Sequence, residues 1–234
     1  MSAIKGARER ARDEVTAAIK EEARRQLARE GAAKLSLRAV ARELGMVSSA
    51  LYRYFPSRDD LLTALIIDAY DALGSAAEDA LAAASGGSPD QRWTAVCRAV
   101  REWALAHPHE YALIYGTPVP GYTAPSDTTG PAARVGLALI SVLRDAHEAG
   151  ELRSTGASAA PAPVQEDARR LGVELGVDLP APALAGLTAT WAQLFGLVNF
   201  EVFGQFNHVV EAREEFFDQA AAGLARQVGL LPGE

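Results

Sequence analysis

The chain has 234 residues, 49% of them hydrophobic, a single cysteine and a formal charge of −7. That length holds one or two domains with a sizeable buried core. Cys97 alone excludes an intrachain disulfide, and charges throughout the N-terminal stretch leave no room for a signal peptide; with no apolar run of membrane-spanning length, the reading is a cytoplasmic protein without a membrane partner. Ala and Leu dominate and no strand-like alternation persists, so the expected class is all-α. The charge is unevenly placed. Residues Met1 to Asp60 carry a net +4 and the remainder −11. Such an asymmetry is a nucleic-acid signal, because the acidic part repels a phosphate backbone and the basic end faces it.

In chain order, Lys5 to Arg12 reads as a flexible basic arm able to add phosphate contacts. Val15, Ile19, Ala23 and Leu27 then recur at helical spacing and stop at Gly31. Ser36 is placed to cap a short helix whose inner face is Leu37, Val40, Ala41 and Leu44. Gly45 follows, where a helix end favours positive φ. Ser48 reads as the cap of a second short helix, anchored by Leu51 and Phe55 and stopped by Pro56. Ser57 precedes Asp60 by three residues, a capping-box-like start for a long helix from about Asp59. Two short helices crossing over a Gly-containing turn, with a third to bury their apolar faces, form a helix-turn-helix whose second helix enters the major groove.

The outward residues suit that task. Ser48, Ser49 and Ala50 lie at the end that meets base edges. Tyr52, Tyr54 and Arg58 are matched to phosphate oxygens. Arg38 reaches a guanine edge or a phosphate, Ser36 sits at a helix start that can face a phosphate, and Arg53 is divided between backbone contact and solvent. From about Asp13 to Leu62 the chain resembles the DNA-binding domain of TetR-type transcriptional regulators. The run that carries the likeness is Ser36-Leu37-Arg38-Ala39-Val40-Ala41, Leu44-Gly45, Ala50-Leu51-Tyr52-Arg53-Tyr54-Phe55-Pro56-Ser57-Arg58 and Leu61-Leu62. Met46-Val47 stands where a single Val step is commoner.

Beyond residue 58 the pattern gives a long helix to about Ala84, a second from Asp90 to His107 ended by Pro108, and a short one from His109 to Tyr115. Gly116 to Pro131 reads as a loop and Val135 to Ala149 as a helix. Ser154 to Pro163 reads as a mobile segment, and Val164 to Gly176 as a modest helix. Ala183 to Phe206 is apolar almost all round, with one stripe of Leu187, Trp191, Leu194, Val198 and Val202 and a smaller-residue stripe of Ala185, Ala189, Ala192, Gly196 and Phe203. A helix apolar on both sides is expected to be buried on both. With an amphipathic helix from Val209 to Val228 it forms a hairpin able to pack on a second copy as a four-helix bundle. The predicted layout is a DNA-binding domain over residues 1–58 and a helical effector-binding and dimerisation domain over 59–234.

Tyr111 to Tyr122 and Trp191 to Val198 also resemble the WHG-type subset of the family, with Phe195 where the subset has His. The resemblance implies a small, largely apolar effector, a homodimer on palindromic operator DNA and, most often, repression; a regulator without a small-molecule ligand stays open beside it. The effector candidates are Trp103, Tyr111, Tyr115, Trp191, Phe195, Asn199 and Phe203, aromatic walls around one amide. None of the four histidines sits in a metal-binding motif, and no phosphate loop or nucleophile elbow occurs, so no enzyme, metal or cofactor is expected.

Overall fold

The computed structural model describes residues 2–154 and 160–231, with side chains from residue 8 onward. Among these residues there are ten α-helices and no strand: α1 Ser2–Glu30, α2 Leu37–Glu43, α3 Ser48–Leu51, α4 Arg58–Ala83, α5 Pro89–Ala106, α6 Pro108–Tyr115, α7 Thr129–Glu148, α8 Ala162–Leu175, α9 Ala181–Val202 and α10 Arg213–Gln227. Short 3-10 turns occupy Ala32–Lys34 and Ser126–Thr128. Two compact units result. The first is Met1–Asp71 with His107–Pro131, the second Ala72–Ala106 with Ala132–Glu234. Of the segment read as mobile, residues 155–159 lie outside the described residues.

The first unit is built as the apolar spacing demands. Ile19, Ala23 and Leu27 of α1 meet Leu37, Val40 and Ala41 of α2, Leu51 and Phe55 around α3, and Leu61, Leu62 and Leu65 of α4, all buried. Ser36 caps α2, its hydroxyl oxygen accepting from the Ala39 amide at 3.4 Å. The helix closes on Gly45 at φ 64°, with the Met46 amide donating to the Ala41 carbonyl at 2.8 Å and the Gly45 amide to the Arg42 carbonyl at 3.1 Å. This is the Schellman pattern that only a left-handed residue permits cheaply. Ser57 starts α4 as expected, accepting from the Asp60 amide at 3.1 Å and donating to its carboxylate at 2.7 Å.

Several boundaries differ from the sequence reading, mostly for one reason. Prolines taken as breakers sit inside first turns: Pro89 in α5, Pro108 in α6 and Pro131 in α7, which begins at Thr129 rather than Val135. A first-turn residue has no intrahelical acceptor for its N–H, so proline loses nothing there. The Lys5 to Arg12 stretch is the continuation of α1, not a separate arm; its Ala, Arg and Glu residues are strong helix formers. At the other end, α9 stops at Val202, before Gly204 at φ 81° and His208 at φ 62°, and α10 begins only at Arg213.

In the second unit α9 packs against α5, α8 and α10, and α5 packs against α10. Trp93, Val96, Cys97 and Val100 of α5, Leu139 and Leu143 of α7, Leu194 and Val198 of α9, and Phe217 and Leu224 of α10 are buried. Burial pushes the Cys97 thiol far up, so it behaves as a small hydrophobe. For α9 the single chain buries one of the two faces expected to be buried, and one reading is corrected. One face is buried through Leu184, Leu187, Leu194 and Val198, but the other is open in the single chain, with Phe200 51% and Phe203 42% exposed. By length and composition α9 also meets the requirement for a membrane span, contrary to the reading that no run approaches one. Its end carries buried Glu201 paired with Arg101, and its packing makes it a core helix of this unit.

Candidate nucleic-acid interface

α2, the Gly45 turn and α3 present one polar surface over the apolar core of the first unit. Arg38, Ser48, Ser49, Tyr52 and Arg53 are exposed, and Ser36, Ala50 and Tyr54 half-buried. What holds them out is the burial of Leu51, wholly enclosed, and of Phe55. α3 itself is a single turn, extended by the Tyr54 and Phe55 amides donating to the Leu51 carbonyl at 2.8 and 3.1 Å. Tyr54 also lies under the Arg12 guanidinium, 5.5 Å from the ring centre. An open depression lined by Ser36, Arg38, Tyr52, Ser57 and Arg58 runs beside this surface.

Two assignments change. Ser48 is the first residue of α3, and its N-cap is Val47, which makes no side-chain capping bond. Val47 is 69% exposed and escaped the sequence reading because an apolar residue beside a glycine turn looks like core. Arg58, read as a phosphate ligand, is turned inward. Its guanidinium donates to the carbonyls of Leu35 at 3.2 Å, Ala32 at 2.9 Å and Ala33 at 3.3 Å, and meets the Asp59 carboxylate at 3.3 Å. It therefore fastens the segment before α2 to the start of α4. Gln26 has a similar part: its buried amide accepts from the Ser36 N–H at 3.2 Å and donates to the Lys34 carbonyl at 3.4 Å. Neither partnership is visible from spacing, because both join a side chain to distant backbone.

α6 belongs to this same unit. Arg24 of α1 pairs with Asp68 of α4 at 2.7 Å and with Glu110 of α6 at 3.3 Å, while Lys20 reaches Asp68 at 2.8 Å. Tyr111 is fully buried, its ring 5.3 Å from Tyr115, which meets Tyr70 edge-on at 6.0 Å. Burial raises both phenols far above their ordinary value, so they stay protonated. Tyr122 shares a hydrogen bond of 2.9 Å with Thr63.

The effector candidates are thus divided. Tyr111 and Tyr115 stand in the first unit; Trp103, Trp191, Phe195, Asn199 and Phe203 in the second. Trp103 and Phe195 are buried, Asn199 is half-buried, and Trp191 and Phe203 are exposed. Trp191 and Phe195 meet edge-on at 5.7 Å. Among the described residues the second unit also holds three bidentate ion pairs, Arg101 with Glu201 at 2.7 Å on both arms, Arg98 with Asp218 at 2.6 and 2.8 Å, and Arg134 with Glu78 at 2.8 and 2.6 Å.

Residues 19–65 match the family described as bacterial regulatory proteins, tetR family, and residues 93–224 match the tetracyclin repressor-like C-terminal domain. The HTH-type transcriptional regulator Rv1816 of Mycobacterium tuberculosis is 43% identical over 202 residues, 86% of either chain, and Mb1846 of Mycobacterium bovis matches to the same extent. Among solved structures, the putative regulatory protein SCO4313 superposes with a TM-score of 0.74 at 36% identity, covering 92% of this chain and 97% of its own. The regulator PfmR of Thermus thermophilus shares the fold at 19% identity and a TM-score of 0.55, over 92% of this chain and 98% of its own.

Proposed function

The chain belongs to the tetR family of bacterial regulatory proteins and is a DNA-binding transcriptional regulator rather than an enzyme, and from that premise we propose that it is a repressor, bound to palindromic operator DNA as a homodimer and released by a small, largely apolar ligand. The observation that carries the DNA reading is the exposed α2–α3 surface on a buried core, in the net-basic end of an acidic chain. In this reading Ser48, Ser49 and Ala50 face base edges, Arg38 a guanine or a phosphate, and Tyr52, Arg53 and Tyr54 the phosphates. Ser36 and Arg58 act one step behind them, by holding α2 and α4 in place. The open face of α9 supports the homodimer. The effector is proposed to contact the candidates that stand together in the second unit, Trp103, Trp191, Phe195, Asn199 and Phe203, and the protein to act on DNA in the cytoplasm.

The test is selection of bound sites from random DNA with the full chain, followed by a mobility shift over a range of salt. A palindromic consensus is expected, with an affinity that falls linearly in log[salt]. Replacing Arg38 and Tyr52 by Ala should weaken binding to all sequences and make that fall shallower, by about one in slope for each phosphate left without its cation. Failure to enrich any sequence overturns the operator reading. Loss of the shift on adding a lipophilic compound from a small-molecule screen supports release by ligand; a shift unaltered by every compound favours a regulator controlled otherwise.

A further inference from the structure

The two short helices of the reading surface start differently. α2 is capped by the Ser36 hydroxyl, which accepts from the Ala39 amide. α3 is preceded by Val47, in extended backbone at φ −69° and ψ 135°, with no side-chain cap at all. Ser, Thr, Asn and Asp are favoured at this position and Val is among the poorest residues there. The Val47 side chain does not repay that cost by packing: it is 69% exposed, while its neighbour Met46 leans on the core and Leu51 is fully enclosed. Only its backbone serves the fold, the carbonyl accepting from the Ala50 amide at 2.9 Å. A residue that breaks a local rule with no structural return is where a functional gain should be sought.

The place of Val47 says what that gain is. It stands next to exposed Ser48 and Ser49, at the N-terminal tip of the helix that meets base edges. In the major groove each base pair presents hydrogen-bond donors and acceptors and, at thymine alone, an apolar group, the C5-methyl. An isopropyl side chain makes no hydrogen bond, and a phosphate gives it no partner. We propose that Val47 is a specificity-determining residue, its methyl groups packing against the C5-methyl of one thymine in each half-site. The proposal rests on the reading that α3 enters the major groove. It gives the frugal Ser-Ser-Ala tip a discriminating contact that needs no hydrogen bond.

The experiment uses the full chain and the site selected from random DNA. Each thymine is replaced in turn by deoxyuridine, which removes the methyl and leaves every hydrogen-bonding group. At one thymine per half-site the native protein should lose about fourfold in affinity, the transfer value of one buried methyl-sized group. Val47→Ala should bind the native site more weakly and be indifferent to deoxyuridine at that position alone. With cytosine there, 5-methylcytosine should restore part of the native protein's affinity and none of the variant's. Val47→Ser, which supplies a cap, should raise the Tm by a few degrees while erasing the thymine preference. Val47→Ala weakening every sequence evenly, with no coupling to the methyl, overturns the proposal, and so does unchanged binding. Those outcomes leave the groove reading intact, whereas a chain that selects no DNA overturns both.

Discussion

Arginine 58 and tyrosine 52 are both near the reading surface, yet the structure separates their work. Arg58 donates to three carbonyls around the 3-10 turn and the start of α2, with its side chain only 29% exposed. Charged hydrogen bonds of this kind are worth about 1.5–3 kcal/mol. Arg58→Ala should therefore lower unfolding stability by about 2 kcal/mol in a urea titration, and weaken DNA binding through a loosened α2. Tyr52→Phe removes only an exposed hydroxyl, so it should leave the urea midpoint unchanged and reduce affinity for all sequences alike. A pH effect belongs to the same scale. The Arg98 guanidinium hydrogen-bonded to Asp218 holds its carboxyl below the ordinary value. A group depressed on folding contributes stability above its unfolded pKa and loses it as pH falls through the folded one. Asp218→Asn should thus lower the Tm slightly at pH 7, by less than about 1 kcal/mol in free-energy terms because the pair is partly solvated. In a Tm series from neutral to acid, the gap to the native protein should close as pH falls below the aspartate range.

At the scale of elements, the second unit is clamped where α5, α9 and α10 meet. Glu201 at the end of α9 is 8% exposed, receives both arms of Arg101 from α5, and Arg101 in turn lies over Phe217 of α10. Removing one member of a buried pair strands the other charge, at about 3–5 kcal/mol, whereas an apolar pair of similar volume is near neutral. Arg101→Met should destabilise the unit by about 3 kcal/mol, and adding Glu201→Leu should recover most of it, read by denaturant unfolding. A double variant as unstable as the single one would show that the charges do more than fill space. The helices themselves were legible from spacing, because Leu37, Val40 and Ala41, or Leu51 and Phe55, recur as a helix face must. Helix starts were less so, since Pro89, Pro108 and Pro131 carry the same letter whether they stop a helix or open one. The Arg24–Glu110 pair joins residues 86 positions apart, so nothing local announces that α6 folds with the DNA-binding helices. For the candidate interface, the exposed polar residues of α2 and α3 were readable. The inward turn of Arg58 and the outward turn of Val47 were not, because each reverses the side on which its chemistry would ordinarily place it.

For the whole molecule, the proposed dimer must supply what one reading surface lacks. Ser48, Ser49 and Ala50 offer few base-specific bonds, and the chain as a whole carries −7. Two copies on a palindrome make the second contact intramolecular, a gain on the order of 10²–10⁴ in apparent affinity without any new contact type. The open face of α9 is where a second copy is expected to sit. Ala185, Ala189, Ala192, Gly196 and Phe200 follow one another along it at helical spacing, small enough for close approach until the aromatic end. There Phe200 packs on Phe206 and Phe206 on Phe216 at 5.6 and 5.4 Å, so exposed Phe200 and Phe216 extend the apolar face onto α10. Phe200→Glu places a charge in that face while costing the single chain little, since half the ring already meets solvent. Light scattering should find the native protein as a dimer and the variant as a monomer with native helicity and Tm. The variant should bind the full palindrome on the order of 10² times more weakly and a single half-site as well as before, because its α2–α3 surface is untouched. A variant that stays dimeric moves the interface elsewhere; a monomer that keeps full operator affinity removes the dimer from the mechanism altogether.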